Sequence, residues 1–293
     1  MIALNSKSIS ALGICAAAVI FSSCSNNTTT EQKEVKTDTT VTDTKRIDSL
    51  TTTKKSAIEF KFATTEANLP APFEIVNDIT SYKADFKKEL LNPYTNADNY
   101  VTSYKRAVNM GVYGMDLAYV NAYGQNQEML HYFVTIQKIA KELNFDKVFD
   151  QFSERFKTNS GNKDSVIVIV DNVFDRTDAY LKKNENYLAA SHILAGALIE
   201  INYLSLNLLK TVQRTADNEA IFDKVYKENL YIYHVINLFE EYTDKDSKAL
   251  LANLKAYKAS YNEIIKSAAD LTPANIDKAV VLIGKVRSDI VKK

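Results

Sequence analysis

His192, Gly196, Glu200, Tyr203 and Asn207 recur at steps of four, four, three and four, so a helix places them on one face. The segment that carries them, residues 191–210, is otherwise apolar on nearly every side, the pattern of a helix at the centre of a core. A carboxylate buried there without partners is strongly destabilising. Two chemistries relieve it. Glu200 is a base or ligand anchor in a pocket, with His192 and Tyr203 beside it, or it is an acceptor in a closed network fed by a Tyr hydroxyl, an Asn or an Arg. Asp116 poses the same choice between Gly114 and Leu117, on a stretch where Tyr119 and Tyr123 are natural donors. Asp116-x-x-Tyr119 and Glu200-x-x-Tyr203 echo one another and fit two equivalent core helices. If the two acids meet, they share a proton or hold a cation.

Other side chains point to blander roles. His131 and His234 sit beside Tyr132 and Tyr233 and read as packed or surface residues. Asp171, Asp175 and Asp178 form an acidic stripe that reads as a solvated face. Three histidines and two cysteines argue against a four-ligand zinc site, and no Cys-x-x-Cys, His-Glu-x-x-His or calcium-loop spacing occurs. Neither a phosphate-binding nor a dinucleotide-binding glycine pattern is present, nor a serine-nucleophile motif. No metal or cofactor is therefore expected. Lys plus Arg total 36 and Asp plus Glu total 36, so no global field steers a nucleic acid toward the chain.

The elements that must position these residues are helices. Among 293 residues there are 7 Gly and 4 Pro, where average usage gives roughly 20 and 15. Tyr94 to Thr272 contains no proline. An all-β domain needs a turn signal every 8–12 residues or so, which this composition does not supply. Helical segments are expected at 73–91, 96–123, 125–143, from Asp146 as an N-cap to the Asn159-Ser160-Gly161-Asn162 break, and then at 191–210, 219–241, 247–268 and from Pro273 onward. Residues 166–170 are five β-branched residues in a row; they suit a buried strand, but helical spacing continues through Val173, Thr177 and Leu181, and helix is the reading taken. Gly111, Gly114, Ala118 and Ala122 give the early long helix a small-residue face, as close approach by another helix requires. The fold class is all-α, a single bundle of about nine helices over 69–293.

Residues 1–23 read as a lipoprotein signal peptide. Lys7 precedes an apolar run from Ile9 to Phe21 that is too short to span a bilayer. Phe21-Ser22-Ser23-Cys24 resembles a bacterial lipobox, which implies that Cys24 is acylated and becomes the mature N-terminus. Residues 24–68 are threonine-rich with isolated apolar residues such as Val35, Val41, Ile47 and Leu50, and a disordered tether is expected. Asp38-Thr39-Thr40 and Asp48-Ser49-Leu50 resemble the O-glycosylation acceptor of Bacteroidota-type bacteria, with Thr39 and Ser49 as acceptors.

The string Asn109-Met110-Gly111-Val112-Tyr113-Gly114-Met115-Asp116-Leu117-Ala118-Tyr119, the lipobox and Gly196-x-x-x-Glu200 together resemble a group of all-helical lipoproteins of Bacteroidota-type bacteria. The resemblance covers about residues 72–291 and implies a fold and an envelope address, without catalytic residues. The acids common just after the lipid-bearing Cys in surface-exported proteins are absent here, since Ser25-Asn26-Asn27 follows and the first acid is Glu31. An outer-membrane protein facing the periplasm is therefore expected. Its partners would be the membrane, through the lipid, and an envelope protein, but no nucleic acid. The leading functional reading is a non-enzymatic binding or scaffold module. The alternative is a small-ligand pocket or hydrolase centred on Asp116 and Glu200.

Overall fold

The computed structural model describes residues 41–67, 72–81 and 84–292, with side chains from residue 53 onward except at 72–74 and 163. Residues 1–23, where a signal peptide is expected, Cys24 and Thr39 lie outside the described residues. Ser49 lies within the first helix, with its side chain outside them. The chain divides into residues 1–45 and a compact unit, residues 46–293.

Among the described residues there are eleven α-helices and no strand: α1 Val41–Ala67, α2 Pro72–Ser81, α3 Ser103–Ala122, α4 Asn126–Glu142, α5 Lys147–Asn159, α6 Lys163–Lys183, α7 Tyr187–Leu209, α8 Glu219–Leu230, α9 Ile232–Phe239, α10 Lys245–Ile264 and α11 Pro273–Val291. Residues 166–170 are helical, inside α6. Two differences account for eleven helices rather than about nine. The expected segment 219–241 divides at Tyr231 into α8 and α9. The other addition is α1, which falls where a disordered tether to residue 68 was expected.

Packing explains α1. Its first half carries the isolated apolar residues on which disorder was argued, but apolar density rises from Ile58. Phe62 and Thr65 are buried at 3% and 2% exposure. The Phe62 ring meets Tyr187 edge-on at 5.8 Å. Lys61 Nζ donates to the Asn237 carbonyl at 3.1 Å and pairs with Glu241 at 2.5 Å. The folded part therefore begins before residue 69, because a short amphipathic turn at the end of the tether finds a face on α7 and α9.

Helix starts follow the capping residues. Thr102, Asn162, Asn186, Asp244 and Thr272 each accept a hydrogen bond from a backbone N–H in the first turn, and Pro273 occupies the first turn of α11. Asp146 does not act as expected: it is already in helical conformation and its side chain caps nothing. The glycine shortage is met at helix ends by other residues. Gly124 takes the left-handed conformation after α3, but Asn144 after α4 and Glu185 after α6 adopt it too, with φ of 64° and 56°.

α3 and α7 form the most extensive helix pair, with α4 and α2 against α3 and α11 against α7. Two glycines set their separation. A Cβ on Gly111 would lie 1.9 Å from the Ile193 carbonyl oxygen, and one on Gly196 would lie 1.8 Å from that of Val108. Each helix thus lays its backbone against the other's, as the small-residue face requires. By length and composition α7 could cross a membrane, but 72% of its apolar window is buried inside the protein, so here its apolar surface is spent on neighbouring helices.

The expected helix 73–91 is shorter. α2 stops at Ser81, and a 3-10 turn at Lys88–Leu90 and another at Tyr94–Asn99 carry the chain to α3. Side chains take over the backbone hydrogen bonding a helix would have supplied. The Tyr119 hydroxyl accepts from Lys87 N–H at 2.7 Å and the Tyr123 hydroxyl donates to the Ala84 carbonyl at 2.8 Å. Tyr132 and Tyr113 donate to the carbonyls of Asn92 and Pro93 at 3.1 Å each. Buried tyrosine suits this task, since one side chain supplies both core volume and a hydroxyl.

Candidate functional site

Asp116 and Glu200 do meet. Both are fully buried, one on each member of the central helix pair. Arg287 on α11 joins them. Its Nε and Nη2 donate to the two Glu200 carboxylate oxygens at 2.6 and 2.8 Å, and Nη2 also donates to the Leu90 carbonyl at 2.9 Å. The guanidinium lies over the Tyr203 ring, 4.3 Å from its centroid. This is a bidentate, charge-assisted pair with a cation–π contact on its flank. Asp116 Oδ2 accepts from the Asn92 backbone N–H at 3.1 Å. Burial, and then the Glu200 charge, hold the Asp116 carboxyl well above the usual carboxylate range, against the pull of Arg287. Asp116 Oδ1 takes no hydrogen bond, and a proton held on Asp116 leaves the Glu200–Arg287 pair as the charged part of the cluster. One cation, one anion and one neutral acid leave no net buried charge.

The neighbouring sequence-predicted residues are equally occupied. His192 Nε2 lies 3.0 Å from the Ser247 hydroxyl, between the rings of Tyr104 and Phe239. Burial lowers its pKa to about 4, so the ring is neutral at pH 7. Burial pushes the Tyr119 hydroxyl up to about 12, and Tyr123 is also raised by burial. Tyr203 packs under Arg287, and its carbonyl accepts from Asn207. His131 is exposed and stacked on Tyr94, with centroids 4.6 Å apart. Among the described residues no group of three or more His, Cys, Asp or Glu is arranged to hold a metal ion.

A different place is open. A cavity of about 580 Å³ lies between α1, α3, α6, α7 and α8, and neither Asp116 nor Glu200 lines it. That volume is in the range of small-molecule sites, about 300–1,000 Å³. Its walls are largely apolar, including Phe62, Met115, Phe174, Ile193, Leu194 and Leu198. Gly114 shapes one wall: a Cβ there would come within 2.7 Å of the Phe174 ring, so its absence lets the ring lie back against α3. Glu66, Asp171, Asp175, Asp178 and Glu228 also line the cavity, with no Lys or Arg. Asp171 and Asp175 are exposed, as expected for a solvated stripe, but that stripe borders an opening. Lys182 pairs with Glu66 and Asp178 at 2.5 and 2.7 Å.

Glu228 differs from these four. It is fully buried, and neither carboxyl oxygen has a hydrogen-bond partner. Ser205 on α7 is its polar neighbour and favours the ionised form without closing a bond of ordinary geometry. Burial outweighs that help and pushes the Glu228 carboxyl up to about 8. Two residues that matter here were not singled out in the sequence, although the signal was present. Glu228 lies three residues after Val225 and four before Ile232, on the apolar stripe. Arg287 lies four after Ile283 and three before Ile290. A charge on a buried stripe is the mark both share.

Comparisons with protein-family models, curated proteins and solved structures return no match.

Proposed function

We propose that the chain is a lipid-anchored envelope protein of the all-helical group its sequence resembles, with one helical bundle as a non-enzymatic binding module. Cys24 carries the lipid, the threonine-rich segment spaces the bundle from the membrane, and the module faces the periplasm. The cavity between α6 and α7 is where the ligand is held. The observation that carries this reading is the contrast in occupancy. Asp116 and Glu200, the acids best placed for catalysis in sequence, are fully buried, with Glu200 clamped by Arg287 and Asp116 held by the Asn92 N–H, whereas an apolar cavity of about 580 Å³ stands open elsewhere.

The test has two parts. Cys24→Ala is expected to abolish incorporation of a palmitate analogue and to move the protein from the membrane to the soluble fraction; retention in the membrane contradicts the anchor. With the full-length Cys24→Ala chain, N-phenylnaphthylamine is expected to bind with one-to-one stoichiometry. Leu194→Trp, which fills the cavity, is expected to weaken that binding at least tenfold. No binding to the wild type, or equal binding to the variant, removes the cavity from the proposal.

A further inference from the structure

Four features of the cavity agree on the sign of its ligand. Every ionisable side chain that lines it is a carboxylate. Asp171 and Asp175 have no ion-pair partner among the described residues, so the opening keeps negative charge that Lys182 does not neutralise. Glu228 lies in the wall with both oxygens unpartnered and no exposure to water. The remaining lining is mostly apolar, and among the described residues no three carboxylates converge closely enough to hold a metal ion.

An unpaired buried carboxyl normally has an explanation, such as a proton, a water or a ligand. Here the proton is one answer, and a ligand's N–H is the other. Its neighbours add no cation: Ser205 stands on α7, Tyr257 and Tyr261 on α10 approach within electrostatic range, and Glu66, Asp171, Asp175 and Asp178 on α1 and α6 share its cavity. Lys258 is committed to Asn229, donating to its carbonyl and side-chain oxygens at 3.2 and 3.0 Å.

We infer that the cavity binds an organic cation with an apolar body, an ammonium or guanidinium group carried on an alkyl or aryl frame, with Glu228 as its anchor and Asp171 and Asp175 attracting it to the opening. The apolar body lies against Phe174, Ile193, Leu194 and Leu198, where it removes hydrocarbon from water. The charged end replaces the proton on Glu228 and forms the ion pair that the folded chain lacks. This rests on the binding-module reading above and names the chemical class it serves.

Three eight-carbon probes separate the two ideas: octylamine, octan-1-ol and octanoate, each titrated calorimetrically into the full-length Cys24→Ala chain at pH 7. Octylamine is expected to bind at least tenfold more tightly than octanol, and octanoate more weakly than either. In Glu228→Gln, octylamine affinity is expected to fall to that of octanol, with octanol unchanged. In Asp171→Asn with Asp175→Asn, two exposed positions that leave the core untouched, octylamine affinity is expected to fall two- to threefold and to lose part of its salt dependence. Equal affinity for octylamine and octanol, or a preference for octanoate, overturns the cation inference and leaves the binding module standing. Binding of none of the three overturns both. If Glu228→Gln keeps the tenfold preference while circular dichroism shows it folded, Glu228 is not the anchor and the inference fails. Should that variant not fold, the wild-type ranking and the rim variant still decide it.

Discussion

Two carboxylates on the central pair and one on α8 are buried to the same extent, yet they stand in opposite situations. Glu200 has a bidentate guanidinium, and Asp116 has a backbone N–H on Oδ2 with the Glu200 charge beside it, its Oδ1 taking no hydrogen bond. Glu228 has a hydroxyl nearby and no closed hydrogen bond. The first site supplies its own cation from within the chain, although Asp116 Oδ1 is left without a hydrogen bond. Neither of its acids lines the cavity. The second leaves a strong acceptor unmatched beside a space of ligand size. A buried acid therefore does not by itself mark a functional site. What distinguishes the two places is whether the folded chain supplies the partner.

The largest expected effect breaks the Glu200–Arg287 pair. Arg287→Met strands the Glu200 charge beside Asp116, and about 3–5 kcal/mol of stability should be lost. The midpoint of urea unfolding measures it; a loss below about 1 kcal/mol would show that the ion pair is not what holds these helices together. Glu200→Gln keeps the shape but weakens the acceptor, and a loss of roughly 1–3 kcal/mol is expected. An unchanged melting temperature together with lost ligand binding would move the functional site to Glu200 after all.

The unmatched carboxyl is read through pH. Its pKa rises on folding to about 8, so between roughly 4.5 and 8 the native state holds a proton that the unfolded chain has released. Stability from this group is fully present below that window and is lost as pH rises through it, at up to about 1.4 kcal/mol per pH unit. Asp116 is raised too and acts in the same direction. His192, lowered to about 4, acts oppositely and only below its ordinary range. Between pH 6.5 and 8, Glu228→Gln is therefore expected to remove one proton's slope from the wild-type curve. Parallel curves for the two proteins would show that Glu228 ionises freely in the native state.

The smallest effect on stability is expected at the cavity wall. Gly114→Ala presses on the far end of the Phe174 ring, which can rotate into the cavity. Stability should change by about 1 kcal/mol or less, while N-phenylnaphthylamine binding weakens several-fold. A large stability loss with intact binding would show that the ring cannot move.

Much of this was legible beforehand. The all-helical class followed from scarce glycine and proline, and a close helix neighbour for α3 from its small-residue face, where Gly111 makes the contact; that Gly196 answers it from α7 came with the structure. The meeting of Asp116 and Glu200 was a stated possibility from their matching tetrads. The boundary at residue 69 was not legible in the same way. A sparse threonine-rich stretch reads as disorder until Phe62 and Thr65 find α7 and α9, because a single apolar turn is decided by what it docks against. The segment 84–100 was expected to be mostly helical from its local pattern; it is not, because the tyrosines that satisfy its backbone come from α3 and α4.

What the amino-acid sequence determined by itself is local: which residues share a helical face, where several helices start, and that Asp116 and Glu200 had to be buried. Those properties depend on a repeat of about 3.6 residues and on side chains within one turn. Which acid is matched and which is left open was decided only in three dimensions. Arg287 reaches Glu200 across 87 positions of chain, and no spacing rule links residues that far apart. Glu228 lies on an equally ordinary apolar stripe, but no such cation reaches it.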